Sequence, residues 1–522
     1  VPARRARGTA TRLGFSGWRR SCIRSLATMT DSHDVWPRVS TGTAGADDVL
    51  GGGFPAHRLY LVNGTPGVGK TTFALQFLLD GARRKERVLY ITLSETEEEI
   101  RQVAQSHGWN LDGIAMVELS SAEQTLRLED QNTLFVTSDV ELKETMRVLL
   151  AEVDRVKPER VVFDSLSEIR LLAQTPQRYR RQLLALKQFF IGRKCTALLL
   201  DDHTSGEQDD QVASLAHGVV DLEMVPVSYG AERRRMRVTK LRGSSFRSGH
   251  HDFAIRSGGL VVFPRLVSSE HRTAYQPEPV ASGVPGLDRL LGGGIERGCA
   301  TLIMGPAGTG KSVLATQIAC SFAESGGRAA MFVFEERIAT MLARTREIGM
   351  PLGSMMEAGR IRTHQLDPAE LSPDEFTHEV RREVEAGARL LVIDSLTGYV
   401  NAMPDVRFLT LQLHELLAYL AEQGVATILT LALGGIMSAR SAPVMDASYL
   451  ADTVVLLRYF EASGHVRKAV SVMKKRTGSH ENTIRELTVG RDGLRLSEPL
   501  TSLRGVFTGV PIPERDQARD DR

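Results

Sequence analysis

Cysteine is scarce in this sequence. Its 522 residues hold four (Cys22, Cys195, Cys299, Cys320), none in a C-x-x-C pair. That excludes a disulfide-stapled scaffold and predicts reduced, mostly buried thiols in a cytoplasmic protein. Thirteen histidines form no zinc signature, and His250-His251 reads as a pair in a loop. No uninterrupted apolar run is long enough to cross a bilayer, so no membrane partner is expected. Net charge is also small, at +2. It hides an asymmetry, because residues 1–28 carry seven arginines and no acid, which leaves a body of about −5. A mildly acidic body argues against sequence-independent DNA binding, so nucleic acid is not the expected partner. Residues 1–35 read as a basic, disordered tail, with Met29-Thr30-Asp31 as a natural beginning and the stretch before it a mis-called start. A nucleic-acid arm or a targeting peptide is the alternative for that tail.

What remains is ordinary globular material, 42% apolar and 25% charged, enough for two or three domains with full cores. Within it, Gly64-Thr65-Pro66-Gly67-Val68-Gly69-Lys70-Thr71 follows the apolar run Leu59–Val62. It opens a helical spacing through Ala74, Phe77, Leu78 and Gly81. Strand, glycine loop and helix is the context in which G-x-x-x-x-G-K-[S/T] means a phosphate cradle. Glycines let successive N–H groups turn inward, and the helix N-terminus adds partial positive charge. Lys70 supplies a compact cation for the β- and γ-phosphates, and the Thr71 hydroxyl suits Mg²⁺. The stretch occurs twice. Gly305-Pro306-Ala307-Gly308-Thr309-Gly310-Lys311-Ser312, continuing into Val313, follows Thr301–Met304, and Lys311 lies 241 positions after Lys70. The same offset links Gly42 to Gly283, Asp47 to Asp288, Gly51–Gly53 to Gly292–Gly294, and Glu95 to Glu336. The domain is duplicated.

Around each loop, apolar strands alternate with helical patterns. Val88–Leu93 ends at Ser94-Glu95, and Arg160–Asp164 is a buried strand ending in an acid suited to holding Mg²⁺ through water. Residues 105–158 read as helical and irregular. Helical residues 177–193 lead to strand Thr196–Leu200, which ends in Asp201-Asp202, and later strands fall at Val219–Leu222 and Arg237–Arg242. The second copy repeats the order, with Ala329–Phe334 ending at Glu335-Glu336 and Leu390–Ile393 ending at Asp394. This predicts an α/β fold with a parallel-rich central sheet flanked by helices, used twice. The first domain is placed at 36–264 and the second at 280–511, with 265–279 a linker by its prolines and polar residues and 512–522 a disordered tail.

Cleaving a triphosphate needs a group that orients the nucleophile and positive charge on the developing oxyanions. Glu95 and the pair Glu335-Glu336 are the candidates for the first task. Neither copy shows an arginine finger of its own. Lys240 and Arg242, and likewise Lys474 and Arg476, end late strands at matching places; reaching a neighbouring subunit's phosphate would supply the missing cations and imply a ring.

These residues together resemble the KaiC family, two-domain RecA-like ATPases best known from the cyanobacterial clock. The resemblance runs from roughly Val39 to Val510. It rests on both phosphate loops, the G-x-x-G-x-D-x-x-L-G-G-G segments before them, the strand-end glutamates, and Asp164 and Asp394. Lys240-Leu241-Arg242-Gly243, Lys474-Lys475-Arg476, Ser479-His480 and Ile484-Arg485-Glu486 add to it. It implies tandem RecA-like P-loop NTPase domains in a homohexamer of two stacked rings, with ATP and Mg²⁺ between subunits. Slow hydrolysis is implied in the first ring and Ser/Thr autophosphorylation in the second, in a signalling or timing switch with signalling proteins as possible partners. ATP would meet Gly64, Thr65, Gly67, Val68, Gly69, Lys70, Thr71 and Thr72 in one copy. Its counterparts in the other are Gly305, Ala307, Gly308, Thr309, Gly310, Lys311, Ser312 and Val313. Lys240, Leu241 and Arg242, then Lys474, Lys475 and Arg476, would act from the neighbour. Thr71 with Asp164, and Ser312 with Asp394, would hold the metal. Glu95, Glu335 and Glu336 would be catalytic, with Glu335 or Glu336 taking the acceptor's proton. Two departures stand out. Ser94 replaces the first of two glutamates. In Asp446–Asp452, Ser448 matches the acceptor serine while Tyr449 replaces a threonine. Two other classes compete: an ATP-gated scaffold with little turnover, which Ser94 favours, and a RecA/RadA-type DNA recombination ATPase, which the acidic body disfavours.

Overall fold

The computed structural model describes residues 36–119, 138–202, 210–226, 230–367, 369–401, 406–433, 448–491, 493–508 and 512–513. The readings for the 1–35 tail, for Asp446 and Ala447, and for the last nine residues lie outside these.

Among the described residues each half is built on a nine-stranded sheet. Counting only strands of these sheets, the first holds β1 (Leu59–Gly64), β2 (Val88–Thr92), β3 (Ala115–Glu118), β4 (Arg160–Asp164), β5 (Thr196–Asp202), β6 (Gly218–Val225), β7 (Arg233–Leu241), β8 (His250–Arg256) and β9 (Gly259–Phe263). Their order is β9-β8-β7-β6-β1-β5-β4-β2-β3. Strands β6 through β3 run parallel, and β7, β8 and β9 finish one edge antiparallel. The second sheet holds β10 (Ala300–Gly305), β11 (Ala329–Val333), β12 (Ile361–Gln365), β13 (Leu390–Asp394), β14 (Ala426–Ala432), β15 (Thr453–Ala462), β16 (His465–Lys475), β17 (Arg485–Gly490) and β18 (Gly493–Pro499). Its order, β12-β11-β13-β14-β10-β15-β16-β17-β18, repeats the first.

The continuous apolar strands follow from burial on both faces. Along β1 the side chains alternate: Leu59 and Leu61 join one core with Leu89, Phe163 and Leu186, while Tyr60 and Val62 join the other with Phe73, Phe77 and Tyr90. Helix α1 (Lys70–Arg83) and its counterpart Lys311–Glu324 pack on the sheets directly after the phosphate loops. Arg160, 1% exposed, clamps α1 to the sheet. Its guanidinium meets Phe77 O at 2.8 Å, Ser40 O at 2.9 Å and Asp80 Oδ2 at 3.1 Å, with Glu86 on its remaining side.

Several elements depart from the sequence reading. The stretch 105–158 contains β3, a four-residue edge strand too short to show a period. His250-His251 is not in a loop but opens β8; His251 is fully buried, accepting from Arg265 N–H at 2.9 Å while its other ring nitrogen lies 3.0 Å from Arg247 O. A polar pair at a strand start carries no loop signal of its own. Residues 265–279 form a docked strap, not a free linker. Leu266 is buried in the second half's core, Thr273 N–H donates to Glu422 O at 3.2 Å, and the Tyr275 ring lies against Gly424. Ile512–Pro513 pairs with Leu503–Arg504, so ordered structure runs past 511. Cys195 and Cys320 are buried free thiols and Cys299 is partly buried. No described helix is long and apolar enough to cross a membrane.

The halves meet where β8 faces the N-terminus of α8 (counting α2 Glu97–Ser106, α3 Ser138–Val156, α4 Leu166–Ala173, α5 Pro176–Phe190, α6 Lys311–Glu324, α7 Ile338–Glu347 and α8 Pro373–Glu385). Asp252 N–H donates to Asp374 Oδ2 at 3.1 Å, and Asp374 N–H returns the bond to Asp252 Oδ2 at 3.3 Å. Arg256 pairs with Glu375 beside them.

Candidate functional site

Each phosphate loop leaves the C-terminal end of its strand and enters its helix through a glycine in the left-handed region, Gly69 at φ 114° and Gly310 at φ 107°. A side chain there would be strained, which is why the motif's second glycine must precede the lysine. Lys70 and Lys311 are each 8% exposed. Lys70 Nζ donates to Gly64 O (2.9 Å) and Thr65 O (3.1 Å), and Lys311 Nζ to Gly305 O and Pro306 O (both 2.9 Å). Val68, Thr72 and Thr309 are buried supports, and Thr309 Oγ1 donates to Pro306 O at 2.8 Å. Thr65, Gly67, Ala307 and Gly308 form the exposed rim, with Ser312 and Val313 half-buried behind it. Tyr459 from β15 reaches over the second loop to Ala307 O at 3.2 Å.

Beside the first loop, Thr71 Oγ1 donates to Asp164 Oδ2 at 3.1 Å, so the two candidate metal ligands are in contact. Tyr90 from β2 also donates to that carboxylate. Burial raises the Asp164 carboxyl, and the hydrogen bonds from Tyr90 and Thr71 and the charge of Lys70 pull it back down. Glu95 sits in the bend after β2, its N–H donating to Thr92 Oγ1 at 3.1 Å just ahead of the capping box that starts α2. Its carboxyl is raised by burial, then by Asp164, Glu99 and Asp202, while Lys70 opposes them. A carboxylate with a raised pKa facing the phosphate lysine suits a group that takes or holds a proton.

The second site is wired differently. Thr430 from β14 donates to Asp394 Oδ1 at 2.5 Å. Glu336, equivalent to Glu95, is drawn aside by Arg344 of α7 at 2.5 Å. Glu335 is the acid that, after Asp394, acts on Lys311, whose ammonium burial pushes below its ordinary pKa.

The basic strand ends lie at the opposite end of each sheet from the phosphate loop. Arg242 N–H donates to His217 O, and His217 N–H to Leu59 O, so Arg242 is level with the start of β1. Arg476 is tied through Asp452 to Ala300 at the start of β10 in the same way. Either cation is then about 16 Å along the strand from its own loop, five steps of roughly 3.3 Å. In the first copy Lys187, Arg58, Arg242 and Lys240 surround His217, and burial with those four cations pushes it down to about 4. In the second, Arg476 Nη1 is 3.4 Å from Asp452 Oδ1. Lys474 Nζ donates to Ser448 O (2.9 Å) and Arg476 to Tyr449 O (2.8 Å), so the turn that holds the candidate acceptor sits on the cations and away from its own loop. Ser448 is half-buried and Tyr449 exposed. Lys475 points inward, with Nζ 2.9 Å from Glu296, and Leu241 is buried, so neither side chain joins that surface.

Tyr90, Asp202, Thr430 and Arg344 are the site neighbours that motif reading passes over. An acid pair closing the strand after the one that ends in Asp164 was the available signal, and only the register of β5 against β1 gives it meaning.

The family model described as "ATPase: KaiC" matches residues 39–267 and 280–501. The circadian clock oscillator protein KaiC of Prochlorococcus marinus (strain MIT 9313) is 26% identical over 494 residues, covering 94% of this chain and 98% of that protein. KaiC of Acaryochloris marina (strain MBIC 11017) is 25% identical over 495 residues, covering 92% and 93%.

Proposed function

The chain belongs to the KaiC ATPase family, and we propose that it is a head-to-tail ring ATPase whose first site hydrolyses ATP and whose second transfers phosphate to its own serine. One observation carries this reading. In both copies the cations that a γ-phosphate needs stand at the far end of the sheet from the loop that would bind it. A subunit cannot bring Arg242 or Arg476 to its own site, so a neighbour must supply them.

At the first site Lys70 and the loop N–H groups bind the phosphates, and Glu95 orients water toward the γ-phosphorus. At the second, Ser448 of one subunit meets the triphosphate held by the next. Its Oγ attacks the γ-phosphorus, the bond to the ADP oxygen breaks, and the proton passes to Glu335, which faces Lys311 while Glu336 is held by Arg344. Mg²⁺ would be held by Thr71 with Asp164, and by Ser312 with Asp394, and supplies charge neutralisation on the β- and γ-oxygens. The contact of Thr71 with Asp164 fits that role. Ser94 favours a second reading in which the first ring turns over little and serves chiefly to assemble.

The test is phosphate release and ³²P incorporation with Mg-ATP, with particle mass in parallel. Glu95→Gln should lower release about a hundredfold, the scale of a lost general base. Glu335→Gln and Ser448→Ala should remove incorporation while Glu336→Gln keeps most of it. A chain that stays a monomer in Mg-ATP and neither releases nor transfers phosphate would refute the proposal.

A further inference from the structure

The two phosphate lysines have different neighbours. In the first sheet, β5 runs beside β1 in a register that sets Asp202 opposite Gly64. Asp202 Oδ1 is 2.6 Å from Lys70 Nζ. Its Oδ2 accepts from Ser167 Oγ of α4 at 3.2 Å, and its N–H donates to Asp201 Oδ1 at 3.0 Å. Asp201 in turn holds the Arg170 guanidinium. The carboxylate is therefore placed by a strand and a helix together. In the second sheet the same register sets Ala432 opposite Gly305 and Leu431 where Asp201 stands. Thr397, the counterpart of Ser167, accepts from Ala432 N–H at 3.2 Å instead.

A lysine ammonium has three N–H donors. At the first site they are matched by Gly64 O, Thr65 O and Asp202. A γ-phosphate that takes Lys70 must displace Asp202 and then lie close to a like charge. A diphosphate, seated deeper against the loop N–H groups, meets that charge less. We propose that Asp202 is an affinity-setting residue: it makes the first site weaker for nucleoside triphosphate than the second and narrows its preference for triphosphate over diphosphate. This rests on reading both loops as ATP sites.

The experiment uses full-length chains in which one loop is disabled. In the Lys311→Ala background, Mg-ATP and Mg-ADP binding to the first site is measured by calorimetry with and without Asp202→Ala or Asp202→Asn. Both should tighten ATP about tenfold or more and ADP by less, the worth of one charge-assisted contact. In the Lys70→Ala background, Ala432→Asp should weaken ATP to a similar degree. Unchanged or weaker ATP binding in both Asp202 variants overturns the proposal, as does an equal shift for ATP and ADP. If the folded Lys311→Ala chain binds neither nucleotide while the Lys70→Ala chain binds both, Asp202 is refuted and the second ATP site stands. If neither chain binds, the ATP reading falls as well.

Discussion

The Tyr90 phenol and the Thr71 hydroxyl both donate to Asp164, a carboxyl that burial pushes up. Removing either donor lets it rise further, so a higher pH is needed to ionise it. Tyr90→Phe in the Lys311→Ala chain should therefore shift the acid limb of the pH–rate profile upward. At neutral pH, turnover should fall about tenfold, as expected for one hydrogen bond to a charged group. Thr430→Val, which removes the donor to Asp394, should lower phosphate incorporation at the second site about tenfold. A rate loss with an unmoved profile would count against this role. Lys70, Thr71 and Asp164 are legible in the sequence because spacing along one chain fixes their chemistry. Tyr90, Asp202 and Thr430 are not, because each acts across a strand boundary that only the sheet order defines.

At the scale of elements, the order of strands and helices is readable because both faces of each sheet are covered, which makes the strands long apolar runs. The edges escape that logic. β3 is four residues at an edge, and β8, β17 and β18, in the outer antiparallel part of their sheets, mix polar and apolar residues, so the sequence does not separate them from loops. Arg160 is another feature that pattern reading treats as a strand's polar end, yet it joins the segment before the phosphate loop, α1 and the turn before β2. Arg160→Met should cost about 3–5 kcal/mol in denaturant unfolding, since Asp80 and Glu86 are left without their buried partner. Adding Asp80→Asn and Glu86→Gln to that variant should restore part of the loss. A single-variant loss below about 1 kcal/mol would show the network to be dispensable.

At the scale of the whole chain, the two halves share a buried pair of carboxyls, Asp252 and Asp374. Burial, then the Asp252 charge, holds Asp374 protonated up to about 8, against Arg235 and Arg265. Undocked, it would ionise near pH 4. Between those values the docked form binds the extra proton, so docking and stability weaken as pH rises across that window. The slope should be at most about 1.4 kcal/mol per pH unit for one proton. Asp374→Asn should flatten it, read as unfolding temperature from pH 5 to 8.5; a slope that survives the substitution would place its origin elsewhere. The sequence does not display this pair because the residues are 122 positions apart and lie on different copies of the duplicated fold.

Placing loop and cations at opposite ends of every sheet has an arithmetical consequence for trans supply. An open row of subunits leaves two unfinished centres, one from each copy, and a lone pair finishes only half of what it carries. Turnover per chain should then climb with concentration and level off once the last gap shuts. If Ser448 is the acceptor as proposed, blending Lys311→Ala chains with Ser448→Ala chains should recover labelling that neither has alone.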